Sequence, residues 1–101
     1  MHKIHFYKDK HGNQPVADYI RLLQQRKDKD SRIKLKKNQD YMRLLSEHGT
    51  YIGQPVVKHL SGEIWELRPL RDRILFAAWI DGGFVFFINL SSEHKKHRNV
   101  K

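Results

Sequence analysis

The chain of 101 residues contains no cysteine and only three prolines. Without cysteine it can form neither a disulfide framework nor a thiolate zinc site, so a domain this small must depend on its hydrophobic core. It also lacks any long hydrophobic run, because Asp81-Gly82-Gly83 interrupts the most apolar stretch, 74–90, and the first residues do not resemble a secretory signal. We therefore expect a cytoplasmic protein with no membrane partner.

Acidic residues are scarce relative to basic ones. Eleven Asp and Glu face 20 Lys and Arg, which gives a net charge of +9 and favours a polyanionic or acidic partner. The 39% hydrophobic and 11% aromatic content is too high for a disordered basic tail. Together with the length, it predicts a single domain over 1–101.

The first half of the chain has the pattern of a strand followed by two helices. Alternation around Ile4 and Phe6 predicts a short strand. Pro15 suits the first position of a helix, and apolar residues at the helical interval extend that helix to about residue 27. A second helix follows and ends at His48-Gly49, so the two form a helical hairpin.

From residue 56 the pattern changes to strands, predicted at 56–59, 63–69, 73–80 and 84–88. Asp81-Gly82 is a hairpin turn signal between the last two. Short connections make these strands antiparallel, and two helices can cover only one face of their sheet. The predicted class is α+β, with the other face of the sheet open to a ligand.

Basic residues concentrate between positions 21 and 43, where nine of them face three aspartates. Two interpretations remain open: a solvated helix surface, or a surface for nucleic acid or an acidic partner. The nine are Arg21, Arg26, Lys27, Lys29, Arg32, Lys34, Lys36, Lys37 and Arg43.

A second basic cluster lies on the predicted strands. Alternation places Trp65 and Leu67 together on the core face and puts the residues between and after them on the open face. The open-face set would be Glu66 and Arg68, with Arg73 across a tight connection and Arg71 at its rim. Glu66 could simply pair with these arginines, or the arginines could clamp a phosphate.

His94 and His97 are spaced for metal binding, but no third ligand of suitable type accompanies them. We predict neither a metal nor a cofactor.

Several segments resemble the HigB branch of the RelE-type toxins, the phage-derived toxins of bacterial toxin–antitoxin pairs. They are Lys-His-Leu at 58–60, Glu-Ile-Trp-Glu-Leu-Arg-Pro at 63–69, Arg-Ile-Leu-Phe at 73–76, and 79–85. The resemblance covers most of 3–85. It implies a RelE-like fold, ribosome-dependent cleavage of messenger RNA, and a helix-turn-helix antitoxin as partner.

The resemblance also implies roles for the second basic cluster. Cleavage would need no metal, because the RNA 2′-OH attacks the adjacent phosphate. Arg73 matches the family's phosphate-binding arginine, Arg68 would assist it, and Glu66 is the candidate proton acceptor. The predicted RNA-binding residues are Lys58, His59, Arg71, Lys95 and Lys96.

Residues 86–101 depart from the family pattern, which continues Leu-Leu-His-x-Phe-x-Lys-Lys-Thr-x-Lys-Thr-Pro. The pattern can be recovered in a shifted reading frame, in which the third base of each codon is read with the first two bases of the next. In that frame, codons for 87–98 can encode His-Gln-Phe-Val-Lys-Arg-Thr-Gln-Lys-Thr-Pro. We therefore hypothesise a one-base deletion; a naturally divergent tail is the alternative. Ile88 then stands where the family has histidine, and Ser92 and Glu93 replace two basic residues.

Two functional classes follow. The first is an endoribonuclease toxin, impaired by its altered C-terminus. The second is a non-catalytic basic module of the same fold that binds RNA or an antitoxin. A DNA-binding regulator is less well supported, because the helical pair shows no convincing recognition helix.

Overall fold

The computed structural model describes residues 2–78 and 82–90. Two helices and a five-stranded sheet make up this part of the chain, which confirms the predicted α+β class. In chain order the elements are β1 (Ile4–Phe6), α1 (Pro15–Gln25), α2 (Lys29–His48), a 3-10 turn (Gly49–Ile52), β2 (Val57–Ser61), β3 (Ile64–Leu67), β4 (Arg73–Ala78) and β5 (Phe84–Leu90).

The helices begin and end at the residues with the strongest local signals. Pro15 opens α1, and Gly49 ends α2 with φ +69°, as predicted. Helix α1 stops at Gln25, two residues before the predicted end. Asp28 explains this early stop, since its carboxylate caps α2 by accepting from the Ser31 amide at 3.0 Å and the chain must already be extended there.

The sheet order is β1-β5-β4-β3-β2. Strands β2 to β5 form the predicted antiparallel meander. The sequence predicted β1 without a partner; it pairs with β5 in parallel, so the sheet is mixed. The helical hairpin carries the chain from β1 to the far edge, and the meander returns it to β1 with β5 running in the same direction.

The core lies on one face of the sheet, beneath both helices. Phe76 packs edge-on against Phe84 and Phe86, with ring centroids 5.3 Å apart in each pair. Val16 of α1 and Leu45 of α2 belong to the same buried cluster. Burying the helices' apolar residues here leaves the opposite face of the sheet for other contacts.

A register shift in β5 changes which residues reach that opposite face. Phe76 lies opposite Phe86, whereas its neighbour Leu75 lies opposite Ile88, so Phe87 is the extra residue of a bulge. Ile88, 40% exposed, therefore shares the uncovered face with Leu75. The strand continues to Leu90, two residues beyond the predicted end. Residues 79–81, which include part of the predicted hairpin turn, lie outside the described residues.

Candidate nucleic-acid interface

A row of side chains crosses the uncovered face at the middle of the sheet. Lys58 of β2 lies opposite Glu66 of β3, and Glu66 lies opposite Leu75 of β4. The following residue of β3, Leu67, is fully buried in the core. Because side chains alternate along a strand, Glu66 must face away from the core, as the sequence predicts. We call this surface the open face.

Glu66 is the centre of a charge cluster on the open face. Its Oε1 lies 3.4 Å from Arg68 Nε and 3.9 Å from Arg73 Nε, and its side chain is only 15% exposed. These three residues therefore lie close together, as predicted. With Lys58 opposite, one carboxylate faces three cations, so the cluster as a whole remains positive.

Backbone carbonyls fix the orientation of Arg73. Its Nη1 donates to the carbonyl of Leu70 at 2.9 Å and to that of Asp72 at 2.7 Å. Both acceptors are neutral, so they hold the guanidinium group without cancelling its charge. An oriented guanidinium group of this kind is suited to bind a phosphate oxygen.

The turn that supplies these carbonyls connects β3 to β4. The Asp72 amide donates to the Pro69 carbonyl at 3.0 Å, which closes a four-residue turn. Leu70 adopts φ +57° within it. Arg71 is exposed at the tip of this turn, two residues before Arg73. Its predicted rim role stays a prediction.

A buried polar network anchors this turn to both helices. The side chain of Asp72 is 1% exposed, and its Oδ2 accepts from the Tyr19 hydroxyl at 2.5 Å and from Asn38 Nδ2 at 3.2 Å. Tyr19 belongs to α1 and Asn38 to α2. Sequence reasoning missed this network, although Asn38 stands at helical spacing from Leu45 on the side of α2 that packs against the core.

His59, another predicted RNA-binding residue, is not part of the cluster. His59 lies opposite Trp65, on the other face from Lys58. Its ring stands 4.8 Å from that of Trp65, and its Nε2 donates to the Gly62 carbonyl at 2.8 Å. Lys95 and Lys96 lie outside the described residues, as do both histidines of the metal spacing considered above.

The basic surface of the helices contains several ion pairs within one helix. Several cations lie 4 Å or less from a carboxylate three or four residues away, a spacing typical of solvated helix surfaces. These contacts favour the solvated interpretation of residues 21–43. The pairs are Arg21–Asp18, Lys34–Asp30, Lys36–Asp40, Arg43–Asp40 and Arg43–Glu47.

No family model and no curated protein matches this sequence. Neither helix in the described part of the chain has both the length and the apolar character needed to cross a bilayer. Within the same residues, no group of three His, Cys, Asp or Glu side chains is arranged to hold a metal ion.

Proposed function

We propose that this protein is the toxin of a bacterial type II toxin–antitoxin pair, a cytoplasmic RelE-like endoribonuclease that cuts messenger RNA on the ribosome. One observation carries the proposal: two arginines converge on Glu66 on the open face, one of them oriented by two backbone carbonyls. The resemblance of 58–85 to the HigB branch supports the same function. A helix-turn-helix antitoxin is the proposed partner.

The proposed chemistry uses the RNA's own nucleophile. The 2′-oxygen gives up its proton, bonds to the adjacent phosphorus and displaces the 5′-oxygen, which takes a proton from water. The products are a 2′,3′-cyclic phosphate and a 5′-hydroxyl. Arg73 and Arg68 stabilise the negative charge that develops on the phosphate oxygens. Glu66 accepts the 2′ proton, while Lys58 and Arg71 bind flanking phosphates.

A second candidate function is a non-catalytic module that binds RNA or the antitoxin. Ile88 favours it for the chain as it stands, because this residue occupies the same row as Glu66 and Leu75 on the open face. A histidine there would face the charge cluster, whereas isoleucine cannot transfer a proton. Loss of one proton-transfer group typically lowers a rate by about 10²–10⁴-fold.

The test compares this chain with a version in which one base is reinserted after the Val85 codon. Both are expressed from a tightly controlled promoter, and growth and mRNA cleavage are measured. We expect growth arrest and ribosome-dependent cleavage from the restored version, and loss of both when it also carries Arg73→Ala. The control is Arg32→Ala in the restored version, which removes an exposed arginine of α2 and should leave toxicity intact.

Retained toxicity with Arg73→Ala would remove this arginine from the site. Equal potency of the two tails would show that the present tail is functional. A restored version that neither arrests growth nor cleaves mRNA would contradict the toxin proposal.

A further inference from the structure

Leu70 has a backbone conformation and a solvent exposure that are both unfavourable for a leucine in a folded protein. It is the one non-glycine residue with positive φ among residues 2–78 and 82–90, at +57°. This left-handed conformation crowds the Cβ of most L-residues and is normally occupied by glycine or asparagine. Its side chain is also 46% exposed, so it contributes little to the core. Neither backbone geometry nor packing accounts for leucine here.

The position of Leu70 relative to the charge cluster is what distinguishes it from other exposed leucines. Its carbonyl oxygen accepts from Arg73 Nη1 at 2.9 Å. Glycine or asparagine could present the same carbonyl with less strain, so the turn alone does not require a leucine side chain. The Cβ of Leu70 is three bonds from its carbonyl oxygen, so the side chain begins within about 6 Å of Arg73 Nη1.

We propose that Leu70 is a specificity-determining residue whose apolar side chain packs against the nucleobase adjoining the phosphate held by Arg73 and Arg68. The inference rests on the proposed function and adds a base contact to it. A nucleotide joins an anionic group to a flat, largely apolar ring face, which matches an oriented guanidinium group beside an exposed leucine. Strain at a functional turn is tolerated when the strained residue serves the ligand.

The test measures stability and binding separately, and it uses two ligands to distinguish a base contact from a phosphate contact. Leu70→Asn is compared with the unchanged chain in its melting temperature and in its Kd for a short single-stranded RNA and for inorganic pyrophosphate. We expect a higher melting temperature, because strain is relieved. RNA affinity should fall about tenfold, as on loss of one base contact, while pyrophosphate affinity stays unchanged.

Two further variants serve as controls. Leu70→Met keeps an apolar side chain at the same backbone position, so it should retain RNA affinity without the gain in melting temperature. Leu22→Asn removes a leucine of similar exposure, 40%, from α1 and should leave RNA affinity unchanged.

Unchanged RNA affinity in Leu70→Asn would overturn the base contact while leaving the proposed function intact. An equal fall in RNA and pyrophosphate affinity would also overturn it, because the turn rather than the side chain would then be responsible. If the unchanged chain bound neither RNA nor pyrophosphate, the proposed function itself would fail and this inference with it.

Discussion

At the scale of single residues, the open face is defined by how its charges are held. Arg73 is bound by neutral carbonyls, whereas Glu66 lies between two guanidinium groups without forming a close hydrogen bond to either. The Nε of Arg68 is buried and has no hydrogen-bond partner among the described residues. Under the proposed function, a phosphate would bind the two arginines, and the Glu66 carboxylate would compete with it for them.

Glu66→Gln tests this competition together with the proposed role of Glu66 as proton acceptor. Removing the carboxylate should strengthen RNA binding, because the arginines lose an internal competitor. In the version with the restored tail, the same change should slow cleavage by about 10²–10⁴-fold through loss of the proton acceptor. Binding is measured by fluorescence anisotropy and cleavage by primer extension. If Glu66 only stabilised the sheet, binding would not improve and the variant would instead melt at a lower temperature.

Asp72 gives a second prediction at this scale. Asp72→Ala removes the acceptor of two buried hydrogen bonds, from Tyr19 and from Asn38, and should lower the free energy of unfolding by about 3 kcal/mol. Asp72→Asn retains an acceptor and adds a donor for Asn38 Oδ1, which has no partner among the described residues. We expect urea denaturation to show little change for Asp72→Asn. Equal losses in the two variants would contradict this account of the network.

At the scale of elements, helix α2 depends on its N-terminal cap. The Ser31 backbone amide donates a hydrogen bond to the Asp28 carboxylate. This hydrogen bond is the main reason that the pKa of Asp28 lies below its ordinary value of 3.8. The folded state therefore favours the ionised form. The resulting stabilisation is complete above the unfolded-state pKa and is lost as the pH falls through the lower folded-state pKa.

Comparing Asp28→Ala with the unchanged chain at several pH values tests the cap. The variant should melt at a lower temperature near neutral pH, and the gap should narrow as the pH falls below about 4. Asp28→Ser keeps a capping oxygen that does not titrate, so its stability at neutral pH should remain close to that of the unchanged chain. A gap for Asp28→Ala that stayed constant with pH would show that the ionised carboxylate is not what stabilises α2.

Elements that are determined by residues close together in the sequence could be predicted, whereas contacts between distant residues could not. Pro15 and Gly49 act within one helical turn, and alternation along β3 suffices to separate Glu66 from Leu67. The parallel pairing of β1 with β5 joins residues 80 positions apart, and nothing in the alternation of either strand specifies its partner. The contact between Asn38 and Asp72 also spans the fold, so it was found only in three dimensions.

At the scale of the whole molecule, the net charge of +9 includes two basic surfaces, one on α2 and one on the open face. On α2, Lys34, Lys36 and Arg43 each lie near a carboxylate of the same helix. On the open face, Arg68 and Arg73 share the single carboxylate of Glu66. Total charge attracts RNA in general, but phosphate contacts form where cations are held in place and outnumber the carboxylates beside them. The central claim is therefore that RNA binds the open face and not the basic helix.

The salt dependence of RNA binding tests this claim most directly. We compare Arg68→Ala/Arg73→Ala with Arg32→Ala/Arg43→Ala, which removes the same two charges from α2. For a single-stranded RNA, loss of two phosphate contacts should reduce the slope of log K against log salt by about 1.4. The account predicts this reduction for the open-face pair and little change for the α2 pair. An equal reduction in both, or a larger one for the α2 pair, would contradict it.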